Sequence, residues 1–128
     1  NEIDSVAWYK NPQAADVLTS TMPVASKKPN ALGVYDMSGN VMEWCKDKMG
    51  PYSEEDQENP QGPAEDSNCV LRGGSWDSPA KNCRITYRYG SNPMYRMKTF
   101  GLRLVLSLEE GDNLPDVDED KKAADYLK

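Results

Sequence analysis

The chain contains no histidine at any of its 128 positions. That excludes Ser-His-Asp and Cys-His nucleophile pairs, and histidine-ligated zinc or haem. Cysteine is scarce and oddly numbered. Cys45, Cys69 and Cys83 form no CxxC pair, so a zinc ribbon or thioredoxin-like site is not expected. With a single phenylalanine, core bulk must come from seven tyrosines and three tryptophans. No apolar run approaches the roughly 18 residues of a membrane span. There is neither an initiating Met nor a signal peptide, so Asn1 reads as the cut end of something longer.

What is present points to one domain. A hydrophobic fraction of 38%, with nine glycines and nine prolines, favours a loop-rich fold over a helical bundle. The net charge of −6 is unevenly placed. Residues 72–103 carry five arginines and two lysines against Asp77 alone, whereas residues 109–128 hold eight acids and three lysines. The basic segment is short and has no lysine-rich stripe, so nucleic acid is not an expected partner.

Residues 1–32 read as irregular, with Trp8 and Tyr9 as an apolar anchor and turns at Asn11-Pro12 and Lys27-Lys28-Pro29-Asn30. Residues 41–45 fit a short strand. Gly50-Pro51, Asn59-Pro60 and Gly62-Pro63 among six acids mark 50–68 as a surface loop. Cys69-Val70-Leu71 enters the next strand. Leu102, Leu104 and Leu106 alternate with Arg103, Val105 and Ser107, a period-2 strand pattern. From Glu109 the chain reads as an acidic tail, partly disordered or holding a short helix from Asp118 to Leu127.

Asp36 and Glu43 flank the turn Ser38-Gly39-Asn40. Such a bend can direct carbonyls inward while two carboxylates converge, the donor type a hard cation requires. The spacing is not that of an EF-hand. The same residues also fit a turn cap at Asp36 and an ion pair between Glu43 and an arginine.

Three blocks, Gly33 to Trp44, Arg72-Gly73-Gly74-Ser75-Trp76 and Phe100-Gly101-Leu102-Arg103, occur in an order and spacing that resembles the C-terminal half of the formylglycine-generating-enzyme domain, or sulfatase-modifying-factor domain. The resemblance implies an α+β, loop-rich variant of the C-type lectin fold with little regular secondary structure, spanning residues 1–108. It implies a structural calcium ion at Asp36, the Gly39 and Val41 carbonyls, and Glu43. It also implies a cleft containing Ser75, where active members hold copper(I) through two cysteines. The second of those falls on Cys83, the first on Ser78, and the histidine that commonly follows the first on Pro79. A hydroxyl does not replace thiolate for a soft ion. Copper is therefore not expected, and Ser75, Ser78 and Cys83 read as remnants. Cys83 is expected as a buried thiol or, if the protein is exported, in a disulfide with Cys45. Cys69 is expected as a core thiol.

Trp76, Asp77, Ser78, Lys81, Asn82, Tyr87, Tyr89, Asn92, Tyr95 and Arg96 fall in irregular sequence between probable strands. Amphipathic aromatics with short polar groups suit a binding surface. Trp76, Asp77, Ser78, Lys81, Tyr89, Asn92, Tyr95 and Arg96 are the expected ligand face, and Arg72 and Arg103 are expected scaffold. Hypervariable display proteins of related fold place their diversity in the corresponding segment. The expectation is a catalytically silent, calcium-containing domain for a protein or carbohydrate ligand, or a cell-envelope scaffold of a lipoprotein kind, located outside the cytoplasm. Two alternatives are a copper-dependent oxidase with an altered site, and a subunit docked to a larger assembly through the acidic tail.

Overall fold

A computed structural model of the chain describes residues 2–58, 60, 62–63 and 68–105. Four strands form one mixed sheet: β1 (Met42–Lys48), β2 (Cys69–Arg72), β3 (Tyr89–Ser91) and β4 (Phe100–Gly101), in the spatial order β3-β2-β1-β4. β1 and β2 are antiparallel, with Glu43 opposite Arg72, Trp44 opposite Leu71, and Lys48 opposite Cys69 after a bulge. β3 runs antiparallel to β2, and β4 parallel to β1. Single 3-10 turns lie at Glu2–Ser5 and Ala80–Cys83, and no α-helix occurs among the described residues. The expected acidic tail lies outside those residues.

β1 starts one residue later than the sequence pattern indicates and runs on to Lys48. The extension is fixed by pairing of Lys48 with Cys69. Val70 and Leu71, at the centre of β2, are fully buried. Trp44 meets Phe100 edge-on at 5.4 Å, and Tyr89 leans on Phe100 at 6.2 Å. The lone phenylalanine thus ties three strands together. A second cluster joins Ala7, Tyr9 and Cys83, with Ile3, Val6 and Ala80 packed on it.

The expected strand over 102–107 is not realised at 102–105, its described positions. β4 ends at Gly101, and Leu102 and Leu104 are 68% and 89% exposed. Pairing with β1 covers two residues, after which Arg103 turns to grip Glu43. Period-2 alternation forms a strand only where a neighbour accepts the ladder.

One buried residue links the segments. Asn40 is 5% exposed at φ 61°. Its amide N–H donates to Trp8 O at 2.7 Å and its carbonyl accepts from Trp76 N at 2.8 Å. Its side-chain Oδ1 accepts from Met22 N at 2.9 Å, while Nδ2 donates to Met22 O at 3.1 Å. The neighbouring Gly39 lies so close to Trp8 that a Cβ would fall 2.2 Å from the Trp8 carbonyl oxygen. Replacing Asn40 by Ala removes both side-chain bonds and places a less suitable residue in the left-handed region. A loss of about 2–3 kcal/mol is expected, measurable by urea unfolding followed through tryptophan fluorescence. Asn40→Gly should cost less than Asn40→Ala, because glycine tolerates the positive φ.

Candidate functional site

The bend 36–43 forms the wall of an open depression of about 500 Å³. Asp36, Gly39, Val41 and Glu43 all line it, together with Tyr35, Asn40 and Arg103. The structure therefore gathers the four residues nominated for a cation. It also gives each acid a protein partner. Arg103 grips Glu43 with two parallel bonds, Nε to Oε2 and Nη2 to Oε1, both at 2.9 Å. The same Nη2 donates to Tyr35 O at 2.9 Å and Asp36 O at 3.4 Å. The Asp36 carboxylate points elsewhere, accepting the Ala25 amide at 2.7 Å. The donors are all oxygens and include two carboxylates, which fits a calcium ion in chemical type. Of these, the Glu43 carboxylate is already held by a guanidinium, with which any metal there would compete. Among the described residues no group of three or more His, Cys, Asp and Glu side chains is placed to hold a metal.

Beyond β2, Gly73 and Gly74 take φ of 92° and 72°. This left-handed pair turns Ser75 inward. Ser75 is 1% exposed and Ser78 6%. Their hydroxyl oxygens lie 2.9 Å apart, and the Ser75 amide donates to Ser78 Oγ at 3.0 Å. Ser78 N donates to Ser75 O, and Ser78 O accepts from Lys10 N, each at 2.9 Å. Ser78 is thus a buried turn residue with its hydroxyl, amide and carbonyl all engaged. This corrects its expected place on an exposed ligand face.

Cys83 packs in the Ala7–Tyr9 cluster, close enough that a Cβ on Gly74 would lie 2.7 Å from its sulfur. Cys45, Cys69 and Cys83 are all free thiols, so the Cys45–Cys83 disulfide favoured for an exported chain is not formed. The two positions sit in different environments: Cys45 on β1, and Cys83 in the apolar cluster at the second 3-10 turn. Burial pushes the Cys83 thiol up to about 11, with the Gly39 amide pulling weakly the other way. Tyr9 rises to about 12, chiefly because its hydroxyl donates to the Asp4 carboxylate at 2.6 Å. Burial also raises Cys45, aided by Asp47.

Trp76, a second ligand-face candidate, is 4% exposed, so it too belongs to the interior. Its indole Nε1 has no partner, and the Lys98 ammonium lies 4.8 Å from its ring centroid. The other candidates divide by environment. Lys81, Tyr95 and Arg96 are exposed, and Tyr89 is exposed while resting on Phe100. Asp77 pairs with Lys10 at 3.1 Å. Asn92 is half-buried and caps its own turn, its Oδ1 accepting Met94 N at 2.9 Å. Arg72 donates to Ile85 O at 3.0 Å, a structural role as expected. Sequence reasoning did not find Lys10, Lys98 or the central part played by Asn40. The only signal for Asn40 is its place after Gly39 in the bend.

The profile of the sulfatase-modifying factor enzyme 1-like domain matches residues 2–108, and the chain belongs to that family. The serine/threonine-protein kinase pkn1 of Chlamydia pneumoniae is 44% identical over 87 residues, covering 65% of this chain and 14% of the kinase. The formylglycine-generating enzyme of Streptomyces coelicolor is 38% identical over 95 residues, covering 70% of this chain and 30% of the enzyme. The chain therefore spans less than a third of either relative. Among solved structures, Treponema denticola variable protein 1 superposes with a TM-score of 0.70 at 37% identity, over 79% of this chain and 36% of that one. PvdO from Pseudomonas aeruginosa gives 0.66 at 30% identity, over 77% and 38%.

The raised Cys83 thiol makes stability pH-dependent. Below the usual thiol value of 9.0 the sulfur is protonated in both states. Between pH 9 and about 11 the unfolded chain releases a proton that the folded chain retains, so stability falls as pH rises through that window. Thermal melting from pH 8 to 11 should show this decline, and Cys83→Ala should flatten it. Tyr9 adds a further loss at the alkaline end.

Proposed function

We propose that this is a catalytically silent member of its family, a lectin-like domain that binds a protein or carbohydrate ligand outside the cytoplasm. The observation that carries the reading is the buried Ser78 hydroxyl locked to Ser75 where active members of the family place a thiolate. One protonated thiol, Cys83, does not make the two-sulfur site that copper(I) requires. The exposed Tyr89, Tyr95, Arg96 and Lys81 supply the binding surface. Likeness to a protein named a variable protein supports display rather than turnover. Among the described residues no helix is long and apolar enough to cross a membrane. The reading includes a structural calcium ion at Asp36, Gly39, Val41 and Glu43, with Arg103 as the competing counter-charge in calcium-free protein.

Two measurements test this. Calcium at millimolar concentration should raise the melting temperature, and a chelator should reverse the rise. An unchanged midpoint removes the calcium part. Copper(I) titration of the native chain should show no stoichiometric uptake, whereas Ser78→Cys should gain tight binding. Stoichiometric uptake by the unsubstituted chain, with oxidation of a cysteine-containing sulfatase peptide to the aldehyde, would overturn the silent reading.

A further inference from the structure

Lys48 and Cys69 are directly opposite residues at the end of the β1–β2 ladder. Their side chains therefore project to the same face, and Lys48 Nζ lies 3.4 Å from Cys69 Sγ. Both residues are half-buried. They stand at the two ends of the loop 49–68, whose base is closed by Met49 N donating to Asn68 O at 3.0 Å. Gly62 packs directly on the Lys48 backbone, since a Cβ there would fall 2.1 Å from the Lys48 carbonyl oxygen. Lys48 borders an open cleft of about 580 Å³, and both residues keep part of their surface open to a small oxidant.

We propose that Lys48 and Cys69 are a modification site, joined by hydrogen peroxide into a covalent nitrogen–oxygen–sulfur bridge that locks the base of the 49–68 loop. One peroxide converts the Cys69 thiol to sulfenic acid and leaves as water. The Lys48 amine, its ammonium proton given up to solvent, then joins the sulfenic oxygen. The N–O bond forms, and a second peroxide takes up the two hydrogens and two electrons released and leaves as two waters. Sulfur and nitrogen each lose two electrons, one pair to each peroxide. The other two cysteines are poorly suited to this chemistry. Burial raises the thiols of both Cys45 and Cys83, which disfavours the reactive thiolate. The polar contact of Cys45 Sγ is a weak one at 3.9 Å to the Glu43 carbonyl oxygen, with no amine involved.

The test treats the reduced full chain with hydrogen peroxide, followed by intact mass and non-reducing peptide mapping. A gain of about 14 Da, one oxygen in and two hydrogens out, should map to a cross-link between Lys48 and Cys69, and dithiothreitol should reverse it. The oxidised chain should melt several degrees higher, because the bridge constrains the unfolded loop. Lys48→Arg and Lys48→Met should each abolish the cross-link while leaving a Cys69 sulfenic acid that a 1,3-dione traps, and Cys69→Ser should lose both products. Oxidation of Cys69 to sulfinic or sulfonic acid, or its pairing with another cysteine, with Lys48 unmodified in the native-sequence chain, would overturn the proposal.

Discussion

The Asn40 side chain, 5% exposed, satisfies its carbonyl and amide on the two backbone groups of Met22, while its own backbone bonds Trp8 and Trp76. A buried amide without such partners would cost several kilocalories per mole. With them it joins three segments that have no regular ladder of their own. Both halves of the candidate site hang from this point. On one side is the bend that carries Asp36 and Glu43, and on the other the turn that carries Ser75 and Ser78. With four short strands and two helical turns among the described residues, side-chain-to-backbone bonds of this kind do the work that helices do elsewhere.

The two halves are held together by different kinds of bond. At Ser78 the hydroxyl is buried in a turn. It accepts from the Ser75 amide and meets the Ser75 hydroxyl, so the turn remains fully bonded. In the acidic bend, Arg103 offers a planar fork to Glu43 and reaches two carbonyls besides. A bidentate pair of this geometry orders a loop more firmly than an isolated surface contact. It can serve as the resting partner of oxygens that also suit a divalent ion.

Several features were legible in the residues alone. The β2 strand at Cys69–Arg72, the irregular first segment and the loop between β1 and β2 all follow from pattern and turn chemistry. The pairing of Glu43 with an arginine was one of two open readings, and Arg103 is that arginine. Others were not legible. Trp76 carries the composition of a binding residue, yet the Gly73-Gly74 turn swings it inside. The alternation after Gly101 carries the composition of a strand, yet only two residues of β4 find a partner. Cysteine count cannot tell thiol from disulfide, because that depends on where Cys45 and Cys83 lie relative to each other.

The sequence by itself determined the family, through three blocks in fixed order, and the absence of histidine chemistry, through composition. It also fixed a serine at position 78, five residues before Cys83. Tertiary structure alone decided which side chains face inward, that Arg103 closes on Glu43, and that Lys48 touches Cys69 across a twenty-residue loop. The reason is physical. Local pattern specifies backbone tendency and residue chemistry, whereas burial and long-range pairing depend on how left-handed turns and strand register bring distant segments together.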